Sequence, residues 1–202
     1  MRSLHRRTFA GGDNAAEREW LVRYRDSAVA LVGIEGQKPR AQSELTFGHH
    51  NLAVLEIDRG NLAAARDGFL AEKATLEGMS ALSPGDTGLR FRLADAVSWL
   101  GRVADIDGRY ADAIAHYGEV LQRLDELVAL EPKVARWRFR LADHVALRGN
   151  VLAIAGRRAE ATEHLARAIT LLDALVAQDP KNQQWRINTL QTRLQLAAVI
   201  LA

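Results

Sequence analysis

The chain has 202 residues, of which 48% are apolar and 26% charged, with 27 basic against 25 acidic side chains and a formal net charge of +2. Such a chain can bury a sizeable core, so it is not a disordered segment, and its balance is too small to set up a strong uniform field. The absence of cysteine excludes disulfides, thiolate metal sites and a thiol nucleophile, and suits a reducing compartment, so the expected location is cytoplasmic.

The first residues carry an arginine pair, Arg6-Arg7, as a twin-arginine export signal does, but Gly11-Gly12-Asp13-Asn14 stands where its apolar region should lie. No run approaches the roughly 18 apolar residues that a membrane span needs. Further along, apolar residues recur at spacings of three and four, and Pro or Gly falls only between the periodic stretches, which reads as helix throughout. The predicted helices cover 13–33, 41–58, 61–82, 88–107, 109–130, 135–155, 157–178 and 183–202. The fifth shows the pattern best: Ala113, Tyr117, Leu121, Leu124 and Val128 form one stripe, with Arg123, Asp125 and Glu126 off it. Pro132 stops it, as Pro84 and Pro180 stop its siblings.

A shift of 48 residues lays Arg90-Phe91-Arg92-Leu93-Ala94-Asp95 on the identical Arg138-Phe139-Arg140-Leu141-Ala142-Asp143. The same shift carries Gly12 to Gly60, Gly108 and Gly156, and Ala65 to Ala113 and Ala161. The chain therefore reads as one domain, 1–202, made of a partial repeat 1–36, repeats 37–84, 85–132 and 133–180, and a terminal helix 183–202.

Leu100-Gly101, Gly108, Tyr110, Ala113 and Tyr117 resemble the core signature of the tetratricopeptide repeat (TPR), in which small residues let two helices approach and aromatics plug the gaps. Leu52-Ala53, Gly60, Ala65 and Phe69 repeat it more loosely. The repeat is longer than the common one of about 34 residues. Two extra helical turns or so on each helix account for the excess. The resemblance implies an all-α, right-handed α-solenoid of seven or eight helices stacked as antiparallel hairpins. It also implies a hollow wall, lined by the first helix of each pair, that binds a protein or peptide. The junction from Pro180 to Trp185-Arg186 is similar to those of long-helix arrays attached to bacterial signalling proteins, which implies the regulatory or sensor part of such a protein.

Two rows of arginine fall on that wall, Arg90, Arg138 and Arg186 in one register and Arg92 and Arg140 in another. Stacked guanidinium groups can clamp the carboxylates of an acidic peptide, whereas salt bridges to Asp95, Asp143, Glu131 and Asp179 would explain the same rows structurally. Trp137 and Trp185 share a register and are expected to pack between hairpins, and Trp20 and Trp99 to lie in the core.

No motif for catalysis, a cofactor or a metal is evident. His49 and His50 are adjacent and diverge on a helix, and Glu160 and His164 read as a surface contact. The expectation is a non-enzymatic scaffold without cofactor. A hydrolase or transferase site hidden in the groove is the alternative, and RNA binding by the arginine rows is disfavoured by the interleaved acids.

The ends look incomplete. Leu4 shares a register with Leu52 and Leu100, as if residues 1–11 closed a first helix whose start is absent. In the last helix Ile187, Leu190, Leu194, Ala197 and Leu201 are expected to pack inward, leaving Leu196, Val199 and Ile200 as an uncovered capping or self-association surface. Truncation of a longer protein, a homodimer through this helix and docking of a partner helix are the three explanations it leaves open.

Overall fold

The computed structural model describes residues 14–202. Those residues form eight helices and no strand: α1 (Asn14–Glu35), α2 (Pro39–Asp58), α3 (Leu62–Leu82), α4 (Thr87–Ile106), α5 (Tyr110–Leu130), α6 (Ala135–Ile154), α7 (Arg158–Gln178) and α8 (Gln183–Leu201). The readings of Arg6-Arg7 and of Leu4 fall outside the described residues. Each boundary lies within two residues of its expected place. α2 starts two residues early because Pro39 occupies the first helical turn, where its missing N–H costs nothing. α2, α4, α6 and α8 begin at 39, 87, 135 and 183, and α1, α3, α5 and α7 at 14, 62, 110 and 158, so like helices recur every 48 residues.

The turns explain the regularity. At the end of α4, Gly108 takes φ +73°, a conformation side-chain-bearing residues resist, and the Arg109 N–H donates to the Ala104 carbonyl at 2.8 Å while the Gly108 N–H donates to Asp105 at 3.1 Å. Gly60 and Gly156 repeat that reversal after α2 and α6. Between hairpins the chain enters α4 through Asp86, whose carboxylate accepts from the Leu89 N–H at 3.0 Å, and α8 through Asn182, which accepts from the Trp185 N–H at 3.2 Å.

Each helix packs on the one before it and the one after it, and α8 also reaches α6. Within a hairpin the helices close on small residues: a Cβ on Gly101 would meet the Tyr117 ring at 2.9 Å, so only glycine admits α5 at that distance. The largest cluster joins α4, α5, α6 and α7 through Phe91, Val97, Leu124, Leu127, Trp137, Leu141, Val145 and Leu165. Trp137 is buried at the junction of two hairpins, as its register implied, 5.0 Å from the Phe91 ring. Trp185, one repeat later, is half-buried.

Two expectations are corrected. Trp99 does join a core cluster, stacked on Phe69 at 5.4 Å, but Trp20 is 63% exposed and stacks on Tyr24 along α1. On α8 the two faces are exchanged. Leu196 and Val199 pack against the clusters beneath, while Ile187, Leu190, Leu194 and Leu201 are open; only Ile200 is exposed as expected. The physical reason is a pair of threonines. Thr189 and Thr192 share the inner face with Leu196 and Val199 and are buried, because their hydroxyls donate to the Trp185 and Asn188 carbonyls at 2.8 Å and bring no unmet donor inside. Hydropathy alone assigns them outward.

Candidate functional site

A groove of about 750 Å³ runs along the first helices, with walls from α2 (Pro39, Ser43, Phe47, His50), α4 (Leu89, Phe91, Arg92, Asp95) and α6 (Arg136, Trp137). Met79 and Leu82 at the end of α3, with Ser83 and Asp86 beyond it, close one side. Its character comes from guanidinium groups laid on ring faces. Arg136 lies 4.5 Å over Phe91 and 5.0 Å over Trp137, and Arg92 lies 5.1 Å over Phe47. Among the described residues neither arginine forms an ion pair with a carboxylate.

The local fold holds these groups in place. Thr46 is fully buried; its hydroxyl donates to the Ser43 carbonyl at 2.8 Å and accepts from Arg92 Nη2, which fixes that guanidinium. Burial pulls the Arg92 pKa below its ordinary value, against the charges of Glu72 and Asp86. Trp137 is fixed from both sides: its ring packs on Phe91, and its Nε1–H donates to Glu131 Oε2 at 2.6 Å. Arg136, stacked on the same two rings, inherits that rigidity.

His50 forms the groove's other polar element. Its Nδ1 lies 3.0 Å from Glu72, and its ring edges against Phe69 and Trp99, each at 5.8 Å. Burial works against the charged imidazole, but the hydrogen bond and charge of Glu72, helped by Asp95, outweigh it and hold the pKa above the usual histidine value. His49 points elsewhere; burial and the nearby Arg25 charge lower its pKa.

The arginine rows are divided by the structure. Arg92 lines the groove, and Arg140 sits beside it, 5.5 Å over Phe91, but is paired with Asp95 at 3.0 Å, the inter-repeat salt bridge that was the structural alternative. Arg90 lies instead on a separate hollow of about 310 Å³ with Pro84, Arg123 and Glu126, and donates twice to the Pro84 carbonyl at 2.9 and 2.7 Å. Arg138 donates to Gln178 at 2.6 Å, and Arg186 is exposed at the start of α8. Arg90, Arg138 and Arg186 thus do not share the groove with Arg92. The Glu160–His164 pair is not formed: Glu160 takes Arg157, and His164 lies 3.0 Å from Arg148.

Phe47 was missed because it does not repeat, and Arg136 because its register is broken, with arginine only at Arg40 besides. Arg136 shares its register with Arg40, Gly88 and Gln184, and Phe47 with Asp95, Asp143 and Gln191. The available signal was the Arg136-Trp137 pair beside Arg140: one turn of helix with two cations around an indole.

Stacked antiparallel helical hairpins define a TPR-like repeat fold, here with a groove that sets Arg92 and Arg136 on aromatic rings among the carboxylates of Glu72, Asp86 and Asp95. No family model matches the sequence, and no curated protein matches it. Among solved structures the chain is similar to a Podosopora anserina kinesin light chain candidate with nearly identical TPR-like repeats (17% identity, TM-score 0.50, covering 91% of this chain and 83% of that one). It is also similar to BtubC (BKLC) from P. vanneervenii, at 18% identity and TM-score 0.50, covering 93% of this chain and 83% of that one. At such identities the likeness establishes the fold, which is TPR-like.

Proposed function

We propose that the chain is a scaffold without chemistry of its own, which holds an extended, acidic segment of another protein in the α2–α4–α6 groove. One observation carries this reading: Arg92 and Arg136 lie stacked on Phe47, Phe91 and Trp137 in a groove of about 750 Å³, with no carboxylate paired to either among the described residues. Stacked on a ring, the Arg136 guanidinium and the Arg92 N–H groups that Thr46 does not take can meet an incoming carboxylate, and the adjoining Met79, Leu82 and Leu89 supply apolar area for the neighbouring side chain. The partners proposed are therefore a protein or peptide, acidic where it enters the groove, and a second copy of the chain at α8. The proposed setting is the cytoplasm, as a regulatory or sensor part of a bacterial signalling protein, on the likeness of the Pro180 to Trp185-Arg186 junction.

The test is fluorescence anisotropy with a labelled ten-residue peptide alternating Glu and Leu, against a control in which Lys replaces Glu. Wild type is expected to bind the acidic peptide at least tenfold more tightly, Arg92→Glu with Arg136→Glu to lose that preference, and Arg90→Glu with Arg138→Glu to keep it. Equal affinity for both peptides, or loss only in the second variant, refutes the groove.

A second reading, a hydrolase or transferase, is favoured by the His50–Glu72 pair opening on the same groove as Ser43. A panel of ester and phosphoester substrates turned over by wild type and not by His50→Gln would establish it.

A further inference from the structure

The second hollow, apart from the groove, owes most of its polar lining to residues that break the repeat. It measures about 310 Å³ and is lined by Ser80 and Ala81 on α3, Pro84 beyond it, Arg90 and Leu93 on α4, and Arg123 and Glu126 on α5. Ser80 stands where the other repeats carry Val32, Val128 and Val176. Glu126 stands in the register of Ala30, Gly78 and Ala174, and Arg123 in that of Ser27, Thr75 and Leu171. One repeat on, the corresponding places hold Val128, Leu141, Leu171 and Ala174, and the arginine there, Arg138, reaches Gln178. Packing of one hairpin on the next is thus met by apolar side chains at these places, and it does not account for the polar set on α3 and α5.

The Ser80 hydroxyl is the clearest sign. A hydroxyl inside a helix commonly donates to the carbonyl four residues back, as Thr75, Thr162 and Thr170 do at 3.0, 3.0 and 3.1 Å. Ser80 Oγ is buried and has no hydrogen-bond partner, an arrangement that costs more than the valine of the other repeats would. The charged groups around it are also incompletely used. Arg90 donates through Nε and Nη2 to the Pro84 carbonyl, and Arg123 through Nε and Nη2 to Glu119 at 3.1 and 2.7 Å. Among the described residues the Nη1 of each has no acceptor. Glu126 lies three residues from Arg123, on the same face of α5, and forms no ion pair among the described residues.

We infer that this hollow binds a small zwitterion of the α-amino-acid class. Arg90 and Arg123 take its carboxylate together with the Ser80 hydroxyl, and Glu126 takes its ammonium. Guanidinium groups from two helices suit a carboxylate, and the free carboxylate beside them disfavours a plain anion and favours a ligand that carries its own cation. Ala81, Pro84 and Leu93 supply an apolar wall for an aliphatic side chain. Size sets the upper bound: at about 30 Å³ for each water displaced, the hollow has room for roughly ten non-hydrogen atoms, which admits a free amino acid and not a length of peptide. It shares no residue with the α2–α4–α6 groove, so this inference and peptide binding are tested apart.

Calorimetric titration with three probes of one shape tests it: leucine, 4-methylpentanoate, which lacks the ammonium, and isoamylamine, which lacks the carboxylate. Wild type is expected to bind leucine saturably and at least about tenfold more tightly than either of the others. Ser80→Val with Arg123→Leu, which installs side chains found in the other repeats, is expected to abolish leucine binding without lowering the melting temperature. Glu126→Ala is expected to reduce leucine to the affinity of 4-methylpentanoate, and Arg92→Glu with Arg136→Glu, in the groove, to leave leucine binding unchanged. Absence of saturable leucine binding in wild type, equal affinity for leucine and 4-methylpentanoate, or leucine binding retained in the Ser80 and Arg123 variant would each overturn the site.

Discussion

Replacing Trp137 probes the junction on which both the stack and the groove depend. The indole is 7% exposed, packs on Phe91 at 5.0 Å within the cluster that joins α4 to α7, and donates to Glu131 at 2.6 Å. Trp137→Ala removes all of this and is expected to cost about 3–5 kcal/mol, the usual range for deleting a buried large aromatic. Trp137→Phe keeps a ring against Phe91 and loses the N–H donor. A hydrogen bond to a charged group contributes about 1.5–3 kcal/mol, and Glu131 is only half-buried and can rehydrate, so about 1–2 kcal/mol is expected. At about 2–4 °C per kcal/mol for a chain of this size, the melting temperature should fall by roughly 2–8 °C for Phe and 6–20 °C for Ala. Because each hairpin contacts only its neighbours, amide exchange should accelerate in α4 to α7 and much less in α1 and α2. A cost below about 1 kcal/mol for Trp137→Ala, or uniform acceleration along the chain, would refute the view that this ring carries the junction.

Two further outcomes follow from the turns and the histidines. Gly108→Ala, at φ +73°, should destabilise by about 1 kcal/mol, whereas Gly78→Ala, inside α3 with open space around its Cβ, should stabilise by about 0.5–1 kcal/mol; urea melts that rank them the other way would contradict the turn assignment. His49, His116, His144 and His164 all have pKa values lowered, chiefly by burial, so folding is favoured above the ordinary value of 6.5 and loses stability as pH falls through their depressed values. His50 has the opposite sign: its contribution is present below 6.5 and lost as pH rises through its raised pKa. Urea melts at pH 7.5 and 5.5 should show lower stability in acid, a smaller loss in His144→Gln and a larger one in His50→Gln; an unchanged slope in both would remove burial as the cause.

Most of the backbone was legible because its devices are local and recur. Pro84, Pro132 and Pro180 end helices, Gly60, Gly108 and Gly156 reverse the chain, and stripes such as Ala113-Tyr117-Leu121-Leu124 show which way a helix faces. α8 was misread because its inward face is half threonine, and a hydroxyl that donates to its own helix four residues back is buried at little cost, a fact that spacing carries but hydropathy does not. Trp20 was misread for the converse reason: hydropathy assigns a large aromatic to the core, whereas this ring stacks on Tyr24 along α1 and is exposed.

The groove was only partly legible, and the reason is built into repeat proteins. Self-comparison finds residues that recur, and residues recur where helices meet: Arg138 on Gln178 and Ala53 and Gly149 under the following helix inside hairpins, and Arg140 on Asp95 between them. A partner that occupies one stretch of the wall selects residues there alone. Phe47 and His50 stand where the other repeats carry something else, Arg136 is matched only by Arg40, and all three open on the groove. Arg92 and Arg140 show the same principle within one register, since the copy that finds Asp95 becomes part of the scaffold and the copy without a carboxylate remains available to a ligand. In such a fold the period identifies what holds the protein together, and departures from it are where binding should be sought.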